Sequence, residues 1–293
     1  LLVSLFTRHD VFVQFGAPVP LDGIVRDGEP ADRTRRRLAR LLRTQLRRQR
    51  AAMIGPDLSH RRTIVRRVLR TTAVREAITE SAREQGMREP RLARRARRHA
   101  LKIAADLSYP VVRVFDLLLT WLWHRLYDGL DVHGVEAVKP VAETHVIVYV
   151  PCHRSHMDYL LLSYVLYYNG LMLPHIAAGE NLDLPVVGPL LRRAGAFFIR
   201  RSFRGDHLYA TVLGEYLHYM FSDGFSVEYF VEGGRSRTGR LLPARPGMLA
   251  MTLRSVLRQP DRRLAFVPVY FGYERVAEAQ TYLGELRGRT KRK

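Results

Sequence analysis

The stretch "HVIVYVPCHRSHMDYLLLSYVLYY", residues 145–168, changes its period in the middle. Its first part is a β-branched run that stops at Pro151. From Asp158 onward it is a longer apolar and aromatic segment of helical character, so the whole reads as strand, loop, helix. The same alternation continues downstream. "AFFIR" (196–200), "SVEYFV" (226–231) and "LAFVPVYF" (264–271) read as strands, while "DHLYATVLGEYLHYMF" (206–221) and "PGMLAMTLRSVL" (246–257) read as helices. Strands that alternate with helices predict an α/β fold: a largely parallel central sheet flanked by helices. The polar segments then fall at strand carboxyl ends, where such sheets bind ligands.

Upstream of this α/β domain, placed at 144–293, the chain divides into a basic, mainly helical amino-terminal region (1–103) and an amphipathic helix with a linker (104–143). "VFVQFGAPVPL" (11–21) reads as a strand and a turn. Asp32 to Arg50 sets Leu38, Leu41, Leu42 and Leu46 on an otherwise basic helical surface, and further helical sequence is expected from Thr63 to Ala105. In the segment from Tyr109 to Gly129, Val111, Phe115, Leu118, Leu122 and Leu126 form one apolar stripe. Arg113, Asp116, His124 and Arg125 interrupt it, so it reads as a packing or interfacial helix, not as a membrane span.

The formal charge is +20, from 48 basic and 28 acidic residues. Only Lys102, Lys139, Lys291 and Lys293 are lysines, so the charge is almost all guanidinium, and residues 1–100 hold 24 Arg against 10 acidic residues. Such a balance is unusual for an enzyme acting on free neutral solutes and points to polyanions or an anionic bilayer. A nucleic-acid-binding protein is the reading of another class, but no zinc spacing, helix-turn-helix or RNP-like motif accompanies the charge. The single cysteine, Cys152, forms no intrachain disulfide and fits a reducing compartment. The first residues, "LLVSLFTRHD", carry neither an initiator Met nor a signal-peptide layout, and "GRTKRK" ends an unfinished polar stretch, so a piece of something longer is expected.

Four segments carry candidate chemistry. His153 and Asp158 stand too far around a continuous helix to meet, about 140° apart. They meet if His153 stays on the loop while Asp158 enters the helix. The carboxylate then fixes the imidazole tautomer and makes the other nitrogen a general base. The same spacing also suits a plain helix cap, Cys152 is a rival nucleophile, and His156 is a second candidate base. Arg200 and Arg201, at a strand end, suit a phosphate dianion or an ordinary charged surface. In "VEYFVEGGRSRTGR" (227–240), glycines and arginines make a phosphate-cradle composition, without the Lys and Ser/Thr of a Walker loop, since Arg240 and Leu241 take those places. Glu232 there suits either a polyol hydroxyl or an arginine. "FVPVYFGYE" (266–274) reads on its own as a core strand, with Pro268 limiting its pairing.

Taken in order, "HRSHMD", "GAFFIRR", "VEGGRSRTGR" and "FVPVYFGYE" resemble the four motifs of the glycerolipid acyltransferase superfamily, most specifically from about Ala104 to Thr290, and "EGGRSRTGR" with Cys152 before the histidine is closest to its glycerol 3-phosphate-acylating branch. The resemblance implies a catalytic pair, His153 and Asp158. It also implies substrate contacts from Phe198, Ile199, Arg200 and the adjoining Arg201, from Glu232, Gly233, Arg235, Ser236 and Arg237, and from Pro268 on the acyl side. The implied reaction moves a fatty acyl group from acyl-CoA or acyl-carrier protein to the 1-hydroxyl of glycerol 3-phosphate, giving lysophosphatidate, without metal or cofactor. Lysophosphatidate as acceptor is the alternative within the superfamily. The implied setting is the cytoplasmic face of a bacterial cell membrane, held there by an anionic surface, with no nucleic acid partner. Members of the branch extend beyond both ends of this chain.

Overall fold

A computed structural model describes residues 18–22, 24–25, 29–54, 61–203, 205–259, 261, 263–274, 276, 278 and 282. Five strands form one all-parallel sheet: β1 (Val146–Pro151), β2 (His175–Gly179), β3 (Ala196–Ile199), β4 (Val227–Glu228) and β5 (Leu264–Val269). Their order across the sheet is β3-β2-β4-β1-β5. From β1 the chain moves outward through α7 (Asp158–Tyr168) to β2 and through α8 (Val187–Arg193) to β3. Then α9 (His207–Asp223) carries it back to β4, and α10 (Pro246–Arg258) carries it on to β5. The direction reverses between β1 and β4, which opens a crevice at their carboxyl ends.

Side-chain alternation splits the core into two. Ile147 and Tyr149 of β1 face α7 and α5 (Tyr109–Leu126), whereas Val146 and Val148 face α9. Three helices of the first hundred residues, α2 (Arg61–Arg70), α3 (Thr72–Gln85) and α4 (Glu89–Ile103), pack on α9 and bury Val68, Val74, Ala96 and Ile103 in that second core. The boundary expected near residue 103 therefore separates no two cores. Helix ends follow local chemistry: Thr71 caps α3, Asp206 caps α9 by accepting the Tyr209 N–H at 3.1 Å, and Pro246 opens α10.

Several expectations are corrected. The strand expected over 226–231 is only Val227–Glu228, because the chain turns after Phe230, whose carbonyl accepts the Gly233 N–H at 3.1 Å. β2, α8 and the short helix α6 (Val135–Ala142) were not foreseen. On α5 the buried face is Val112, Asp116, Leu119 and Trp123, one residue beyond the predicted stripe, and Leu118 and Leu126 are exposed. Of the strand and turn expected over 11–21, residues 11–17 lie outside the described residues. The basic helix forms as α1 (Ala31–Ile54), with Leu41, Leu42 and Leu46 exposed beside its arginines. Among the described residues, no helix is long and apolar enough to cross a membrane.

Candidate active site

The loop between β1 and α7 is built around one buried carboxylate. Asp158, the first residue of α7, is fully buried. Its Oδ2 accepts the backbone N–H groups of Arg154 (2.6 Å) and Ser155 (2.9 Å) and faces Nδ1 of His153 at 3.0 Å, while Oδ1 accepts the Tyr273 hydroxyl at 2.7 Å. The loop-and-helix contact expected from the sequence thus forms. With Nδ1–H donated to the carboxylate, the proton-free Nε2 is left as the basic nitrogen. The imidazole stacks on Phe230, with ring centroids 3.8 Å apart, and lines a cavity of about 800 Å³. Phe230 had no role in the sequence reading, yet it sets the plane of the ring.

Cys152 turns away from that cavity. It is buried, its Sγ accepts the Phe271 N–H at 3.3 Å, and burial pushes its thiol up, so it is no nucleophile here. His156 lines the cavity, and its basicity is lowered first by burial and then by Arg235.

The second loop, 230–245, crosses the first. Ser236 N–H donates to the His153 carbonyl at 2.8 Å. Glu232, which is buried, pairs with no arginine among the described residues and lies outside the cavity lining: its two oxygens accept the backbone N–H groups of His153 (3.0 Å) and Leu242 (2.8 Å). It ties the two loops together, which displaces both alternatives considered for it. Gly233 sits in the left-handed region (φ +62°), and a Cβ there would approach Cδ of Arg245 to 2.7 Å, so the turn needs glycine. Gly233, Arg235, Arg237 and Arg245 line the cavity; Ser236 is buried outside its lining.

At the third corner, Ile199, Arg200 and Arg201 line the cavity. Arg200 is already engaged. Its Nη1 donates to Asp206 at 3.0 Å, its Nε lies 3.6 Å from Glu180, and its guanidinium carbon lies 4.5 Å from the Tyr209 ring centroid. Arg95 of α4 donates to the same Asp206 oxygen at 3.1 Å, and His99 of α4 approaches Arg200 Nη2 at 3.4 Å. Burial, then the Arg200 charge, holds His99 down at about 4, so its ring is neutral at ordinary pH. Besides Glu232 and Ser236, two more expected contacts fall outside the lining. Phe198 is buried under Arg192, 4.3 Å from guanidinium carbon to ring centroid, and Pro268 is exposed on the edge strand β5, outside the cavity lining. The pleat explains the first, and the open sheet edge the second.

Much of the remaining lining is apolar. Val112, Phe115 and Leu119 of α5, Leu160 of α7 and Leu191 of α8 belong to it, with Asp116 and Tyr167 among them. One cavity therefore brings together a carboxylate-paired histidine, several guanidinium groups and apolar side chains.

Known proteins resemble this chain along most of its length. Residues 129–272 match the Acyltransferase family model, and the α/β fold and the His153–Asp158 loop lie within or beside that span. Residues 1–55 match the glycerol-3-phosphate acyltransferase PlsB N-terminal domain. Across 281 residues, 96% of its length, the chain is 57% identical to a glycerol-3-phosphate acyltransferase of Pseudomonas paraeruginosa and 54% identical to one of Ectopseudomonas mendocina. Over all 293 residues it is 51% identical to that of Pseudomonas putida. The chain spans about a third of the length of these curated relatives, 34–35%.

Proposed function

We propose that the protein transfers a fatty acyl group from acyl-CoA or acyl-carrier protein to the 1-hydroxyl of glycerol 3-phosphate, giving lysophosphatidate. The observation that carries this reading is the cavity whose lining brings His153, oriented by Asp158, together with arginines and apolar side chains. The phosphate dianion pairs with guanidinium groups around Arg235, Arg237 and Arg200, and the acyl chain lies against α5 and α7. His153 Nε2 takes the proton of the 1-hydroxyl as that oxygen attacks the thioester carbonyl. The tetrahedral adduct collapses, the carbon–sulfur bond breaks, and the imidazolium returns the proton to the departing thiolate. A thioester is already activated, so this chemistry calls for no metal or prosthetic group, and the inward-turned Cys152 supports direct transfer without an acyl-enzyme.

The same reading places the protein on the cytoplasmic face of a bacterial cell membrane. A formal charge of +20 supports attraction to anionic lipid, at about 1 kcal/mol for each basic residue near the surface. Beside the apolar end of the cavity, α5 exposes Val114, Leu117, Leu118 and Trp121, and the α8 region exposes Leu184, Val186 and Leu190. Flotation with anionic against neutral vesicles tests this: equal partition to both removes the electrostatic part.

The test of activity is acyl transfer from palmitoyl-CoA by the full-length protein in anionic lipid, with labelled glycerol 3-phosphate and lysophosphatidate offered in parallel. Acylation of glycerol 3-phosphate that disappears in His153→Ala is expected. Acylation of lysophosphatidate alone reassigns the acceptor, and activity that survives His153→Ala overturns the mechanism.

A further inference from the structure

A carboxylate outside all four sequence motifs stands behind the two basic loops. Glu278 lines the cavity and gathers three donors. Its Oε2 accepts the Ser155 hydroxyl at 2.8 Å, and its Oε1 accepts the His156 N–H at 2.9 Å and Nη1 of Arg235 at 3.0 Å. Tyr282, which also lines the cavity, accepts from the same Nη1 at 2.9 Å and donates its own hydroxyl to the Arg154 carbonyl at 2.9 Å. An Nη nitrogen has two hydrogens, so both hydrogens of Arg235 Nη1 are used. Every side-chain hydrogen bond of Arg235 among the described residues falls on that nitrogen.

A guanidinium is planar and rigid. Holding one nitrogen from behind therefore fixes the direction of the remaining edge, Nη2 and Nε, which matches a phosphate bidentately. Glu278 stays anionic in this role: burial would raise its carboxyl, but the His156 amide, the Ser155 hydroxyl and Arg235 outweigh burial and hold it below its ordinary value. The two other donors belong to the loop that carries His153, so one carboxylate relates the phosphate-binding arginine to the catalytic base.

We propose that Glu278 is a positioning residue of the glycerol 3-phosphate site, anchoring Arg235 by one nitrogen so that its other edge meets the phosphate. This rests on the acceptor reading given above. Glu278 does not touch the reacting atoms; it acts through Arg235, and Tyr282 shares the task.

The test is steady-state kinetics of the full-length protein, with glycerol 3-phosphate and palmitoyl-CoA varied separately. The variants are Glu278→Gln, Tyr282→Phe, Arg235→Ala and Glu278→Gln combined with Arg235→Ala, each checked by thermal unfolding. Glu278→Gln is expected to raise KM for glycerol 3-phosphate about tenfold while KM for palmitoyl-CoA stays within about twofold. In the Arg235→Ala background the same change is expected to add nothing. An unchanged KM for glycerol 3-phosphate overturns the proposal, and so does an effect of full size that persists without Arg235. If Glu278→Gln does not fold, Tyr282→Phe is read in the same cycle, with a rise of about threefold expected. Absence of that rise, or its persistence without Arg235, overturns the proposal equally. A wild type that acylates no glycerol 3-phosphate instead defeats the acceptor reading. Calorimetric titration with inorganic phosphate then isolates the anchor: binding about tenfold weaker in Glu278→Gln supports it, and equal binding sinks it.

Discussion

Asp158 holds His153 and the main chain around it with the same oxygen: Oδ2 lies 3.0 Å from Nδ1 of the imidazole and accepts the N–H groups of Arg154 and Ser155. The carboxylate therefore orients the imidazole and shapes the loop that bears it. This sharing makes the pair more than a hydrogen bond between two side chains, and it decides what a conservative substitution does.

Asp158→Asn keeps the size but brings an amide to a site surrounded by donors. A rotamer that satisfies the backbone N–H groups with its oxygen turns its NH₂ toward the position of the Tyr273 hydroxyl, and no anion remains to stabilise the imidazolium. The expected outcome is a fall in kcat of about 10³ to 10⁴, with KM values within about threefold, measured by acyl-transfer rates.

Glu232→Gln separates a loop tie from a substrate contact. Each carboxylate oxygen now accepts one backbone N–H, from His153 and Leu242, and an amide keeps only one acceptor. Unfolding in urea is expected to show a loss of about 1–3 kcal/mol. The catalytic rate falls because the backbone of His153 shifts, and KM for glycerol 3-phosphate stays within about threefold. A large rise in that KM alone would return Glu232 to the substrate.

Asp206→Asn tests the support of Arg200. Asp206 is mostly buried, caps α9 through Oδ1, and receives both Arg95 and Arg200 on Oδ2. Removing its charge leaves two guanidinium groups facing a neutral amide. A stability loss of about 2 kcal/mol is expected by denaturant titration, shrinking when Arg95 is also replaced by Met.

His175 gives a pH signature. Its ring is buried edge-on against Phe225, 5.1 Å between centroids, and burial pulls it down from 6.5 to about 4. Between those values the unfolded chain binds a proton that the folded one refuses, so stability falls as pH drops through this window and is fully present above it. His175→Phe is expected to flatten the dependence of unfolding free energy on pH, relative to wild type, between about 6.5 and 4. An unchanged slope would assign the acid sensitivity to other groups, His99 first among them.

What could be read from the sequence is what short range decides. Helix α7 begins at Asp158 and ends at Tyr168, the bounds the apolar run suggested, because a proline-terminated strand and a loop frame it. The His153–Asp158 contact is equally local. Helix α5 shows the opposite case: Val111, Val112, Val114, Phe115 and three consecutive leucines leave apolar residues on every face, so the packing of α7 and α8, not the pattern, selects which side is buried. β4 was overread because "SVEYFV" has strand composition throughout, whereas the chain turns after Phe230 into a loop that Glu232 ties to the His153 backbone. Glu278 and His99 carry no local signal. They lie more than a hundred residues from the groups they meet, His156 and Arg200 respectively, and only the folded chain brings them together.

Helix α4 extends the reach of the site into sequence that no catalytic motif marks. Arg95 and His99 stand against Arg200, and Ala96, Ala100 and Ile103 on the same helix close the core over α9. The α/β region is thus not a portable cassette. A hybrid that grafted residues 129–272 of this chain onto a foreign amino-terminal half would inherit the histidine and the glycine turn, and Arg200 would keep Asp206 and Glu180 but lose His99, as Asp206 would lose Arg95. Exchange between relatives has to carry α2–α4 and α9 as one unit, with the seam placed before Arg61.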